Sequence, residues 1–439
     1  MVQPIVTHTI EPRSIDTSSV TESAFHSVSA TYATDDLADP HSLYAQLRRT
    51  TPVMKGDILA LYGIPSQADY ANTGRPVFTL FRHADIAAVL RDDKTWSTDL
   101  LKDGLGTFLG EMFLSARNGE SHRLLRRLLQ PCFAPDVTRR WRTHVIAPLV
   151  EREYGGQWRA RGRAELMSDL AMPFPILAIY AILGFPDDPA SVTQFADWAL
   201  QILNGPQIDP EKAKASMARA FEAADLLDEH VRGVVAARRR AGASGEELID
   251  RLIRTEVDGE RLDDGQIAGI VRMLLPAAAE TTTRTLANLM VHLLQDERLL
   301  ARVRTDRSLL PRALTESMRL EPVAGFLARR ALRDLDIDGV TIPAGSAVSL
   351  VMGSANRDEA MFADADSFDL DRSQQANLGF GYGLHMCIGM PVARTEVEVA
   401  ADMLLNLPNL RLDPDRPAPR LHGLQFRGPD AVHLRWDTK

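Results

Sequence analysis

The stretch Phe380–Gly389, reading FGYGLHMCIG, decides how the rest of the chain is read. It fits F-x-x-G-x-x-x-C-x-G at Phe380, Gly383, Cys387 and Gly389, with a further glycine at Gly381. A cysteine that ligates a metal must be a thiolate, and an unprotected thiolate is open to protonation and oxidation. Glycines on both sides let backbone N–H groups turn towards the sulfur, lowering its pKa and shielding its lone pairs. A lone cysteine in a Gly-rich turn reads equally well as a small core residue. Four fixed residue types around one sulfur favour the ligand.

Working outward, the 439 residues are long enough for two or three average domains or one large enzyme domain with a deep core. Hydrophobic residues at 45% and charged residues at 25% are ordinary for a globular chain. A net charge of −9 argues against general nucleic-acid binding. Cys132 and Cys387 are the only cysteines, too few for a disulfide framework or a zinc cluster, and that usage suits a reducing cytoplasm. Residues 1–30 are rich in Ser and Thr, lack the apolar core of a signal peptide, and read as a flexible arm. The longest uncharged apolar run, Leu170 to Phe185, is shorter than the ~20 residues a membrane span needs and contains Pro173 and Pro175. It reads as a buried helix, so no membrane anchor is expected.

In chain order, a short helix is expected over Asp39–Arg48, strands near Val53 and over Pro76–Phe81, and a helix over Arg82–Arg91. Leu100 to Leu114 is apolar but punctuated by glycine, which suits a loop, either a lid over an apolar pocket or an ordinary packed one. Helical periodicity dominates from Gly119 to Arg240, where His122 and Arg126 lie four apart on one face. By spacing alone those two are a solvated basic stripe. The longest helix starts at Asp263 and runs to about Gln295, roughly 50 Å at 1.5 Å per residue. Ile267, Ile270, Val271, Leu274, Leu275 and Ala278 give it an apolar stripe. Pro276 removes a backbone hydrogen bond inside it, and Glu280 and Thr281 put polar groups among apolar neighbours. Either the helix turns them to water or they face an internal cavity, and the apolar surroundings favour the cavity. Glu316 and Arg319 are neighbours on a later helix. After Pro322 the pattern alternates, with turns at Asp338-Gly339 and Ala344-Gly345, a short β-sheet signature. Leu421 to Trp436 reads as a last hairpin whose turn, Leu424 to Gly428, reaches towards a substrate.

Phe380–Gly389 resembles the haem-binding loop of the cytochrome P-450 family. The other motifs occur in that family's order and spacing, from about Asp39 to the end. The resemblance implies a mainly α fold with a small β region, one large catalytic domain over residues 31–439. It makes Cys387 the axial ligand of the iron of haem b. His122, Arg126, Arg329 and His385 match residues that contact the haem propionates, although Asn118, Gly119 and Glu120 replace the acid and prolines usual before the His. Phe380, Gly381 and Gly389 belong to the haem loop. Ala277 to Thr281 resembles the oxygen-binding stretch A-G-x-[DE]-T, with Ala278 at the Gly position. Thr281 would hold oxygen and a water while Glu280 relays protons from solvent. Glu316 and Arg319 match a buried pair whose third partner comes from the segment before the haem loop. Ser367 stands where many members carry Arg, so Arg372 is the candidate.

The activity implied is a monooxygenase of the bacterial type, a cytoplasmic monomer inserting one atom of O2 into a small apolar organic molecule. No flavin or iron–sulfur cysteine pattern follows the haem loop. Electrons from NAD(P)H would therefore come through a separate ferredoxin or flavodoxin with its reductase. A peroxide-driven peroxygenase and a non-catalytic haem sensor or carrier are the alternatives. Between Arg123 and Arg142 the chain has six arginines against one acid, Asp136. The resemblance puts this segment on the Cys387 side, so Arg123, Arg127, Arg139, Arg140 and Arg142 are expected to form the donor's docking patch. Arg126 is expected to turn inward.

Overall fold

The helix Asp264–Gln295 organises the computed structural model, which describes residues 39–438 apart from 65, 67, 105, 187, 206–209, 374 and 375. The arm expected over residues 1–30 lies outside the described residues. The helix starts where the sequence places it. The Asp263 carboxylate accepts the Gln266 N–H, and the Gln266 side chain accepts the Asp263 N–H, a reciprocal cap that satisfies two orphan donors. Pro276 sits inside without ending it. The helix packs against Pro173–Leu183, Pro210–Arg240, Leu310–Leu320 and Met390–Leu405, so most of its side chains are buried. Pro173–Leu183 is buried on every face, as its unbroken apolar sequence requires. Among the described residues no helix is long and apolar enough to cross a membrane.

The β region is a five-stranded sheet in the order Val53–Lys55, Val77–Leu80, Ala347–Val351, Phe326–Ala331, Trp96–Ser97. Its second and third strands are parallel and the other pairs antiparallel. The hairpin Leu335–Ile337 to Val340–Ile342 turns at Asp338 and Gly339, whose φ values of 52° and 75° suit that dipeptide. The expected helices near the amino end are present as His41–Thr50 and His83–Arg91.

Three expectations need correction. Leu100 to Leu114 is a series of short helical turns, Asp99–Lys102, Gly106–Leu109, Gly110–Met112 and Leu114–Ala116, each too brief for a period to show in sequence. Arg272 of the long helix ties these turns down. Its Nη2 donates to the Leu109 carbonyl at 3.4 Å, and its Nη1 meets Asp228 of helix Pro210–Arg240 at 3.1 Å. The carboxyl-terminal segment is not a simple hairpin. His433–Arg435 pairs with Arg411–Leu412 on one side and Arg163–Glu165 on the other, while a single bridge joins His422 to Gly428. Arg163–Glu165 is therefore a strand inside a stretch where helical periodicity dominates. Three residues carry no periodicity, and partners far along the chain make them a strand.

Glu316 and Arg319 are buried and paired, Oε1 to Nη2 at 2.8 Å and Oε2 to Nε at 2.9 Å. Arg372 completes the set, its Nε donating to Glu316 Oε1 at 2.9 Å. Arg319 also donates to the carbonyls of Asn356 (2.8 Å), Ala365 (2.6 Å) and Ser367 (3.0 Å). Ser367 thus contributes its backbone. A buried ion pair is tolerated when further hydrogen bonds engage its spare donors, as the three carbonyls do for Arg319. The same segment reaches the cysteine loop. Leu378 donates its N–H to Asn356 Oδ1 at 2.9 Å, and Asn377 Nδ2 donates to the Thr315 carbonyl at 2.7 Å.

His292, late in the long helix, lies 5.2 Å from the Phe368 ring, and its Nε2 has no hydrogen-bond partner. Burial holds its pKa down, from 6.5 to about 4. Between those values the unfolded chain binds a proton that the folded chain refuses, so stability falls as pH drops through this window. Urea unfolding should show a loss on the order of 3 kcal/mol from this group between pH 6.5 and 4, and His292→Leu should make the acid-side slope shallower. An unchanged slope would assign the acid sensitivity to other groups.

Candidate active site

The loop Phe380–Gly389 closes on itself before helix Met390–Leu405. Cys387 donates its N–H to the Phe380 carbonyl at 2.9 Å, Gly381 to Leu378 at 2.8 Å, and Met386 to Gly383 at 3.1 Å. Gly381 and Gly383 have φ of 74° and 71°, where a side chain is strained. At Gly383 an added Cβ would also collide with the Leu90 carbonyl oxygen. Gly389 is different. Its φ is −78°, and an added Cβ would make ordinary contact 3.9 Å from Cys387 Sγ. What this position supplies is its backbone N–H, which with that of Met390 hydrogen-bonds the sulfur. Burial pushes the Cys387 thiol up, while the two N–H groups and the Arg126 charge pull it down. Cys387 still carries accessible surface. Cys132 is a core thiol, 3.6 Å from Thr255 Oγ1.

Around this loop stand four donors. His122, buried in helix Gly119–Leu129, and His385 lie with ring centres 4.2 Å apart. Burial, aided by nearby arginine charge, holds His122 down to about 4 and His385 to about 3, so both are neutral near pH 7. Neither ring nitrogen of His122, nor Nδ1 of His385, has a hydrogen-bond partner. Arg329 is buried in strand Phe326–Ala331, and burial lowers it to about 10. Its side chain donates to the Ala328 carbonyl at 2.8 Å. Arg126 is half-buried, with its Nη1 on the Met386 carbonyl at 2.7 Å, tying its helix to the loop. Among the described residues neither Arg126 nor Arg329 has a carboxylate within ion-pair distance. Two guanidiniums and two unsatisfied imidazoles converge where an anion is wanting.

On the long helix, Ala277 is exposed and Ala278 and Thr281 partly so, although the residues on either side are buried. Of the two polar residues read as facing a cavity, Thr281 shows surface and Glu280 does not. Thr281 Oγ1 donates to the Ala277 carbonyl at 2.7 Å, leaving its oxygen lone pairs available. Glu280 departs from expectation. It is buried, and its Oε1 accepts from Nε of equally buried Arg284 at 2.5 Å. Burial raises Glu280, and Arg284 opposes that rise. Arg284 was legible as the i+4 partner in ETTTR. The cavity reading had already accounted for the acid, so its pairing was missed.

The basic stretch is less free than its sequence suggests. Arg123 pairs with Asp93 (2.5 Å), Arg127 with Asp258 (2.7 Å), Arg140 with Glu246 (2.8 Å) and Arg142 with Glu398 (3.1 Å). These acids are distant in sequence and offset much of the charge. Arg139 is exposed.

A family model described as Cytochrome P-450 matches residues 192–427. The cyclomarin C epoxidase CymV of Salinispora arenicola is 33% identical over 75% of this chain and 83% of its own length. The cytochrome P-450 monooxygenase PikC of Streptomyces venezuelae is 32% identical over 92% of each. This chain belongs to the cytochrome P-450 family. The crystal structure of HmtT, involved in himastatin biosynthesis, superposes on this cytochrome P-450 with a TM-score of 0.76 at 29% identity, covering 93% of this chain and 99% of HmtT. The chain is an oxidoreductase of monooxygenase type, and its family implies a haem. The donor set fits that group, since two propionates would provide the carboxylates that Arg126 and Arg329 lack and acceptors for the unpartnered nitrogens of His122 and His385.

Two loop glycines give the check on this geometry. Gly383→Ala should destabilise the protein by at least about 1–2 kcal/mol from the left-handed backbone alone, with the Leu90 clash added, and should lower the yield of haem-loaded protein. Gly389→Ala, which keeps the N–H and a permitted φ, should unfold near the parent temperature. Equal losses in thermal unfolding would contradict the separate roles.

Proposed function

We propose that this cytochrome P-450 inserts one atom of O2 into an apolar organic substrate, with Cys387 holding the haem iron and a separate ferredoxin or flavodoxin supplying electrons. The observation that carries the reading is the loop itself: one sulfur under two backbone N–H groups, encircled by four donors without an acid. When bound, haem supplies the oxidation chemistry, and a thiolate ligand makes it suited to O–O cleavage. Arg126, Arg329, His122 and His385 would orient it through its propionates. The exposed Ala277 and partly exposed Ala278 offer an apolar wall to the substrate. Thr281 holds a water or proton at Oγ1, and Glu280 is the ionisable group next along the helix. The named reactions of relatives, epoxidation for CymV and hydroxylation or epoxidation for the mycinamicin IV enzyme of Micromonospora griseorubida, support the same reaction class.

The test is turnover with a ferredoxin, its reductase and NADH under labelled dioxygen, using a substrate found by its spin-state shift. A monooxygenase places label in the product and consumes NADH. Label-free product formed with peroxide alone would mean a peroxygenase, and no product under either condition would mean a sensor or carrier. Within this assay Thr281→Ala should let NADH oxidation continue while product falls, within the ~10²–10⁴-fold range of positioned proton-transfer groups, and peroxide rises.

The donor's approach has its own check. Reversing charge at Arg127 and Arg140 should raise the KM for ferredoxin and flatten its salt dependence, with substrate binding unchanged. Because both are already paired with acids, the change should be modest. Unaltered ferredoxin kinetics would leave the patch as ordinary surface.

A further inference from the structure

The turns from Asp99 to Ala116 meet the long helix along one side, and sulfur forms part of the joint. Leu114 donates its backbone N–H to Met273 Sδ at 3.2 Å, a close contact for an acceptor as weak as a thioether. Leu114 opens the turn Leu114–Ala116, so its N–H has no carbonyl of that turn to bond, and the Met273 sulfur satisfies it. Met112 packs one helical turn earlier, where an added Cβ at Gly269 would lie 2.8 Å from its Cγ. Arg272, beside Met273, donates to the Leu109 carbonyl at 3.4 Å. Met273 is buried at 5% exposure, whereas Met361 and Met386 lie open at 47% and 36%. Oxidant arriving from bulk solvent therefore meets Met361 and Met386 first. Met273 is placed differently, one turn before the exposed Ala277 on the long helix. Its sulfur borders the opening of that helix from the inside.

We propose that Met273 is a self-oxidation site: its thioether takes oxygen from hydrogen peroxide released when O2 reduction runs without product, and the sulfoxide unfastens Leu114–Ala116 from the long helix. This rests on the monooxygenase reading above. The oxidant is made from O2, two protons and two electrons of NADH. A lone pair of Met273 Sδ attacks one peroxide oxygen and the O–O bond breaks. The proton on the transferred oxygen passes to the departing hydroxide, which leaves as water. Sulfur is oxidised by two electrons and peroxide is reduced by two. The Leu114 N–H shields one of the two sulfur lone pairs, so oxygen adds at the other and a single sulfoxide epimer forms. A sulfoxide is polar where the joint is packed around an apolar side chain, and its sulfur is electron-poor. The Leu114 amide thereby loses its acceptor in a buried place, where an unmade hydrogen bond is costly.

The experiment runs the full-length holoenzyme with ferredoxin, its reductase and NADH under air, without added substrate and with catalase to clear peroxide from bulk solvent. Peptide mass spectrometry then locates the added oxygen. Met273 sulfoxide should accumulate with the NADH consumed while Met361 is spared. Reagent hydrogen peroxide, without NADH or catalase, should reverse that order. In digests, one of the two epimer-specific methionine sulfoxide reductases should reduce the Met273 sulfoxide and the other should not. Hydrogen exchange at the Leu114 amide should quicken in step with oxidation. Met273→Leu, which lacks the acceptor, should exchange faster from the start and gain nothing further from turnover. Under catalase, a Met273 that is oxidised no more than Met361 overturns the proposal. So does a Met273 sulfoxide that leaves Leu114 exchange unchanged, or a mixture of both epimers. NADH consumption that yields no peroxide in a run without catalase removes the oxidant and overturns it while the monooxygenase reading stands. If no NADH is consumed under any condition, that reading fails and the self-oxidation fails with it.

Discussion

If Cys387 holds the haem iron as proposed, its sulfur must become anionic where burial opposes charge, and the loop around it bears on that demand. Burial raises the Cys387 thiol above its ordinary range. Two backbone N–H groups at the start of helix Met390–Leu405 and the guanidinium of Arg126 act the other way. They can do so only if the loop holds its shape, which requires left-handed backbone at Gly381 and Gly383. The loop in turn hangs from a rigid anchor. Asn356 and Asn377 grip Leu378 and the Thr315 carbonyl, and the Glu316–Arg319–Arg372 set fixes the backbone carbonyls of the preceding segment. A charge network that adds little net stability can still serve by fixing geometry.

The long helix shows a division between scaffold and opening. The long helix is buried along most of its length, yet Ala277, Ala278 and Thr281 show surface. Arg272, one turn before Pro276, joins that helix to the turns around Leu109 and to helix Pro210–Arg240. Phe108 and Phe221 meet with tilted rings, 4.8 Å between centres. A few polar ties and ring contacts thus join elements far apart in sequence at this end of the long helix. Such elements can change their apolar residues without disturbing the anchor, which is why a substrate cannot be read from them.

Strong local signals were legible in the sequence. The cysteine motif, the Asp263 cap, the Asp338-Gly339 turn and the all-apolar helix at Pro173–Leu183 each follow from short-range rules, and each is present. Arg372 could be nominated because the family resemblance places a third partner for the Glu316–Arg319 pair in the segment before the cysteine loop. What sequence hid was set by distant contacts. Arg163–Glu165 is a strand only because His433–Arg435 lies beside it. The turns from Asp99 to Ala116 are each shorter than a helical period can reveal. The acids that offset the basic stretch, Asp93, Asp258, Glu246 and Glu398, come from four separate segments. Arg284 was a different kind of miss, since its spacing was visible but its burial was not.

The central claim is that Cys387, and not Cys132, is the sulfur on the iron. The most direct measurement is the absorption of the reduced, carbon monoxide-bound protein in Cys387→Ser and Cys132→Ser. The account predicts that Cys132→Ser keeps the far-red-shifted band of a thiolate complex, and that Cys387→Ser either loses haem or binds it without that band. A thiolate band surviving in Cys387→Ser would contradict it.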